Sequence, residues 1–115
     1  VSTDRWYLYC ILCADGSIYT GITTDVEKRV EAHNAGKGAK YTKGHRRPVR
    51  LLRSWGPLGE SQARRYEARF KKRSRKVKEL YVEDHVFDWV PFALGFRTHA
   101  EAKRFIEEET RKRHA

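Results

Sequence analysis

Apolar and polar positions divide the chain into short elements of two kinds. Residues 6–13, WYLYCILC, form a continuous apolar and aromatic run of strand length, and SIYTGI at 17–22 forms a second. The Ala-Asp-Gly between them is a tight-turn signal, so the two runs are predicted to pair as a hairpin turning about Asp15 and Gly16. A helical pattern follows: Thr24 and Glu27 have capping-box spacing, Val26 and Val30 make an apolar stripe, and Gly36 is placed to end the helix. A third strand is expected over 49–55, stopped by Gly56 and Pro57. From 61 to about 73 the spacing of Ala63, Tyr66 and Phe70 predicts a helix, and a further one restarts at Ser74 with Val77, Leu80 and Tyr81 on its apolar side. The tail changes character, with an apolar, aromatic stretch at 85–96 and then a capped helical pattern ending in basic residues. There are no repeats and no low-complexity linker. This order predicts an α+β fold: a three-stranded antiparallel sheet flanked by helices, with a C-terminal strand and helix as an appendage.

Charge sharpens this picture. The chain of 115 residues carries 25 Lys and Arg against 15 Asp and Glu. Residues 1–82 hold 19 bases and 8 acids, while 83–115 hold 6 and 7. The positive field therefore belongs to the first two thirds, which suits a polyanionic partner, nucleic acid above all. The length fits one domain with a core that needs no disulfide or structural metal. We divide it into a main body, 1–82, and a C-terminal extension, 83–115, packing on the same domain. No run of 18 apolar residues and no signal-peptide pattern occurs, so a soluble, cytoplasmic protein is expected, without membrane partners and as a monomer or weak homodimer. Cys10 and Cys13 have C-x-x-C spacing, but side chains three apart on a strand point to opposite faces, so they read as buried free thiols.

Four groups of residues could carry chemistry. Glu67 is the single acid among nine bases between Ser61 and Lys78; it is either a helix ion pair with Lys71 or Arg64, or an anchor for a divalent cation. Arg29 and His33 share a helix face beside the valine stripe, as a snorkelling surface arginine and a half-buried histidine or as an arginine fork for phosphate with a histidine partner. Tyr9 and Tyr19 lie near each other across the hairpin, either as an aromatic pair or as phenols whose ionisation the surrounding positive charge favours. Gly21 permits a bulge, or close approach by another backbone or a phosphate. The segment 36–48 has three glycines, five Lys or Arg, one His and no acid, and reads as a loop facing phosphate.

In this order and spacing the residues resemble the GIY-YIG nuclease superfamily, and within it the small single-domain YhbQ-like group. Tyr7-Leu8-Tyr9 stands at the first motif and Tyr19-Thr20-Gly21 at the second; Arg29 falls on the helix arginine, His33 on a His or Tyr position, and Glu67 on the metal-binding glutamate. The resemblance spans roughly 5–82. It implies a metal-dependent endonuclease that hydrolyses phosphodiester bonds in DNA with little sequence preference, acting in repair or processing. Glu67 would hold Mg²⁺ or Mn²⁺, Tyr9 or Tyr19 would deprotonate the attacking water, Arg29 would bind a phosphate oxygen, and His33 would orient tyrosine or water. Lys37, Lys40, Lys43, Arg46 and Arg47 would neutralise phosphates, and Tyr41 would stack on an unpaired base. Single-stranded, branched or duplex DNA are the expected substrates, RNA the next candidate. The alternative is a catalytically inactive nucleic-acid-binding or adaptor module.

Overall fold

The computed structural model describes residues 3–84 and 98–114. Residues 1–68 make one compact unit and 69–115 a second. The first holds strands β1 (Trp6–Leu12) and β2 (Ile18–Thr23), helix α1 (Val26–Asn34), strand β3 (Arg50–Leu58) and most of helix α2 (Glu60–Lys71). Short 3-10 turns at Lys40–Thr42 and Gly44–Arg46 punctuate the basic loop between α1 and β3.

The sheet has the order β2-β1-β3, with both pairings antiparallel. Being central, β1 is covered on both faces, which is why its sequence is apolar throughout rather than alternating. Tyr9, Ile11 and Cys13 share one face in a cluster with Val49, against which Tyr19 and the α1 residues Val26 and Val30 pack. Leu8 and Cys10 are buried on the opposite face, where the Cys10 thiol lies 3.5 Å from the Thr20 hydroxyl. Both cysteines are free and buried, as their strand positions predict.

The hairpin turns through Ala14-Asp15-Gly16 as expected: the Gly16 amide bonds Cys13 O at 2.9 Å, Gly16 takes φ +85°, and the Asp15 carboxylate accepts from both the amide and hydroxyl of Ser17. Local chemistry corrects the expected element ends in two places. The α1 cap is Asp25, not Thr24; its carboxylate accepts from the Lys28 amide at 3.1 Å, which leaves Glu27 in the first turn where the helix dipole favours an acid. The other end of α1 closes as expected at Gly36, with Lys37 N bonding Ala32 O and Gly36 N bonding His33 O. Finally, β3 runs through Gly56 and Pro57 to Leu58. Among the described residues it is an edge strand, where proline's missing donor is tolerated, and a Cβ on Gly56 would lie 2.6 Å from the Tyr7 ring, so glycine lets the strand stay against β1.

In the second unit, α3 (Arg75–Glu83) begins at Ser74, whose hydroxyl accepts from the Val77 amide, and packs on α4 (His99–His114). Phe70, Val77, Tyr81, Ala102 and Ile106 are buried, with Phe70 meeting Tyr81 edge-on at 5.5 Å. Thr98 caps α4 by accepting from Glu101 N, and Arg111, Lys112 and Arg113 occupy its last turn. The apolar strand expected at 85–96 lies outside the described residues.

Asn34 ties α1 to the start of β3: its amide nitrogen donates to Val49 O at 3.1 Å and its oxygen accepts from Val49 N at 2.7 Å. Asn34→Ala leaves both groups of this largely enclosed peptide unpaired. The expected loss is about 1–3 kcal/mol in urea unfolding; an unchanged unfolding midpoint would show that water satisfies that peptide equally well.

Candidate active site

Register brings the two tyrosines together. Tyr9 pairs with Gly21 and Ile11 with Tyr19, so both phenols emerge on one face of the hairpin with ring centroids 6.4 Å apart. A Cβ built on Gly21 would lie 2.7 Å from the Tyr9 hydroxyl and 2.9 Å from its ring carbon. The close approach that Gly21 permits is therefore that of the Tyr9 phenol itself, which lies across β2 where any side chain would displace it.

Helix α1 completes the arrangement from above. Arg29 and His33, one turn apart, both reach Tyr9: His33 Nε2 lies 2.8 Å from the hydroxyl oxygen, and Arg29 Nε donates to that oxygen over 3.4 Å. His33 is fully buried rather than half-buried, and its Nδ1 lies 2.6 Å from the Thr42 hydroxyl. The Tyr19 ring meets the imidazole edge-on at 5.3 Å. Glu67, half-buried on α2, is close enough for its charge to oppose ionisation of Tyr9. The structure thus brings all five of Tyr9, Tyr19, Arg29, His33 and Glu67 into one electrostatic neighbourhood.

Burial, not the surrounding positive charge, decides the ionisation of Tyr9. Loss of solvent pushes its pKa up to about 12, against the lowering effect of the Arg29 hydrogen bond and with further upward pushes from Tyr19 and Glu67. The expectation that a basic surface favours the phenolate fails here because the phenol is 0% exposed and a carboxylate lies nearby. The same enclosure lowers His33 to about 4, helped by the Arg29 guanidinium, so its imidazole is neutral.

The basic loop splits into two groups. Lys37, Lys40 and Lys43 are exposed, and no acid among the described residues takes their ammonium groups. Arg46 and Arg47 also donate within the protein. Arg46 donates to Asp15 at 3.1 Å and to Tyr41 O at 3.1 Å, with its guanidinium 3.9 Å above the Tyr41 ring; its backbone carbonyl accepts from Ala14 N. Ser17 first and Arg46 second hold the Asp15 carboxyl down at about 2. Arg47 donates to Asn34 O at the end of α1. Tyr41 stacks on Tyr19 at 5.5 Å, so its ring packs within the protein while remaining 37% exposed. Sequence reasoning missed Thr42 and the bracing role of Asp15; neither lies on a periodic pattern, and only the folded loop brings them to their partners.

A donor set for metal was tested against this geometry. Among the described residues no three His, Cys, Asp or Glu side chains form a cage. One half-buried carboxylate beside a phenol fits a hydrated Mg²⁺ or Mn²⁺, which commonly takes one or two protein carboxylates and completes its shell with water and phosphate. It does not fit a closed structural site.

The neutral, buried His33 makes a stability prediction whose sign follows from linkage. A histidine whose folded pKa lies below its unfolded value binds fewer protons when folded, so stability is full above about pH 6.5 and falls as pH drops towards 4. Between pH 7 and 4.5 the loss should be about 2 kcal/mol. Urea unfolding of wild type and His33→Gln measures it: the difference between the two proteins should shrink by that amount, and identical pH dependence would contradict a buried neutral imidazole. Asp15 does not interfere, since its depressed pKa acts only below about pH 4.

The GIY-YIG catalytic domain model matches residues 5–81. A UPF0213 protein of Lacticaseibacillus paracasei is 48% identical over 89 residues, covering 77% of this chain and 99% of that protein. The UPF0213 protein YazA of Bacillus subtilis is 46% identical over 84 residues, covering 73% and 84%. A solution NMR structure of a protein from E. faecalis is 45% identical with a TM-score of 0.50, covering 73% of this chain and 86% of that one. Another, of a UPF0213 protein from Bacillus halodurans, is 43% identical with a TM-score of 0.45, covering 76% and 89%. With its tyrosine pair, helix arginine and helix glutamate gathered on one α+β sheet, the chain belongs to the GIY-YIG family, a nuclease superfamily whose substrates are nucleic acids.

Proposed function

We propose that this protein is a metal-dependent endonuclease hydrolysing phosphodiester bonds in DNA with little sequence preference. The observation that carries this reading is the meeting of Arg29 and His33 on the oxygen of one buried phenol, Tyr9. A structural tyrosine needs one partner; here it has an imidazole on one side and a cationic fork on the other.

Each residue has a role that its chemistry allows. Arg29 holds Tyr9 only by a long bond, so a scissile phosphate can draw the guanidinium to its non-bridging oxygens, where the charge matters most as the transition state becomes more anionic. That movement frees a lone pair on the Tyr9 oxygen to face the attacking water; as the oxygen takes the water's proton, its own proton passes to His33 Nε2. His33, neutral and enclosed, keeps the phenol oriented. In the substrate-free protein the phenolate costs about 7 kcal/mol at pH 7, from a pKa of about 12. Tyr9 is therefore a base only in the assembled complex. Glu67 would hold the divalent cation, which when bound would supply positive charge at the phosphate and beside Tyr9. Tyr19 walls the site and stacks on Tyr41, linking it to the loop.

Lys37, Lys40 and Lys43 supply phosphate contacts, which give affinity without sequence choice. Arg46 and Arg47 hold that loop in place and keep further N–H donors for phosphate. The second reading, a binding module without catalysis, is favoured by one observation, the complete burial of Tyr9.

Cleavage of labelled single-stranded, duplex and flap DNA separates the two. Wild type with Mg²⁺ or Mn²⁺ should cut, chelator should stop it, and Glu67→Gln should lose about a hundredfold or more in rate while still binding. Lys40→Ala should weaken binding about equally for all sequences and reduce the slope of log affinity against log salt by roughly one. Salt-sensitive binding with no cutting under any metal condition would leave the binding module.

A further inference from the structure

The buried imidazole is held at both nitrogens, and its partners differ in what they can offer. Thr42 is a fully buried polar residue in the first 3-10 turn of the basic loop. Its hydroxyl donates to Ala39 O at 3.0 Å. A hydroxyl has one hydrogen, so with that hydrogen committed to a carbonyl its oxygen can only accept from His33 Nδ1, 2.6 Å away. Nδ1 must then carry the imidazole proton. In a neutral ring the other nitrogen, Nε2, is left as an acceptor facing the Tyr9 hydroxyl at 2.8 Å, and the phenol has to donate to it.

We propose that Thr42 is a positioning residue that fixes the Nδ1–H tautomer of His33, and through it the direction of the Tyr9 O–H. With the phenolic hydrogen pinned towards the helix, the oxygen's lone pairs point to Arg29 and, in the proposed reaction, to the water. The opposite tautomer would place an N–H against the Tyr9 oxygen, occupy a lone pair, and turn the hydroxyl hydrogen into the position the water needs. Two further features keep the hydroxyl and ring in register. A Cβ on Gly38 would collide with the imidazole, so the loop wraps the ring at van der Waals distance only because residue 38 is glycine. The Asp15–Arg46 ion pair and the Ala14–Arg46 backbone bond clamp the next turn of the loop to the hairpin. Lys40 and Lys43 flank Thr42, so the segment offered to phosphate also carries the group that sets the tautomer.

The tautomer itself does not depend on the nuclease reading, whereas its effect on cleavage rests on it; the experiment reads the two separately. Nitrogen NMR of ¹⁵N-histidine-labelled protein near pH 7, with His33 assigned by its loss in His33→Gln, should show a protonated Nδ1 and an unprotonated Nε2. Thr42→Val should lose that preference, with Nε2–H appearing, and Thr42→Ser should retain it. If cleavage is measurable, Thr42→Val should be at least about tenfold slower at unchanged DNA affinity, with Thr42→Ser restoring the rate. A wild-type His33 protonated on Nε2, or Thr42→Val with the wild-type tautomer, overturns the proposal. Should Thr42→Val fail to fold, Thr42→Ser and the wild-type spectrum decide it alone. Absence of cutting by every variant would count against the nuclease reading and leave the tautomer to be judged by the spectra.

Discussion

The Tyr9 phenol lies flat across Gly21 and donates its hydroxyl towards His33, and the first compact unit is arranged around that contact. It requires the β1–β2 register that pairs Tyr9 with a glycine, since a neighbouring register would set a side chain beneath the ring. It requires α1 to cross the sheet with His33 facing inward, which the Asp25 cap, the Gly36 terminus and the Asn34 clamp on Val49 together fix. It also draws in the basic loop, because the far nitrogen of the same imidazole needs a partner and Thr42 is folded under to provide it. The Asp15–Arg46 ion pair and the Arg47 bond to Asn34 O hold the rest of that loop.

The electrostatics follow from the same enclosure. A buried phenol and a buried imidazole both resist charge, so the substrate-free site stores a neutral tyrosine and a neutral histidine beside one arginine and one glutamate. Such a site is quiet until something polyanionic draws on Arg29 and something cationic draws on Glu67. The proposed chemistry therefore assembles with its ligands rather than standing ready in the free protein, which is consistent with a Tyr9 that solvent does not reach.

Much of this was legible in the sequence, and the parts that were not share a cause. Strand runs and the i and i+4 placement of Arg29 and His33 are properties of local period, which one chain displays directly. The Asp25 cap was missed because Thr24 beside it offers the same signal, and β3 continues past Gly56 and Pro57 because its position beside β1 tolerates a proline and needs a glycine against Tyr7. Arg46 and Arg47 read as phosphate ligands by charge alone, and their bonds to partners 31 and 13 residues away could not be read from it. The ionisation of Tyr9 was read from net charge, whereas desolvation, invisible in a sequence, sets it. Thr42 gave no signal at all, since its importance lies in one hydrogen committed elsewhere.

The central claim is that the Tyr9 oxygen is the group that acts on the attacking water, and single-turnover cleavage of a DNA substrate by Tyr9→Phe tests it most directly. Phenylalanine keeps the ring over Gly21 and removes only the oxygen. A cleavage rate lower by about a hundredfold or more, with unchanged DNA affinity in a protein still folded despite losing about 1–3 kcal/mol with the His33 bond, is the predicted result. Cutting at the wild-type rate would contradict the account and move the search for the base to Tyr19.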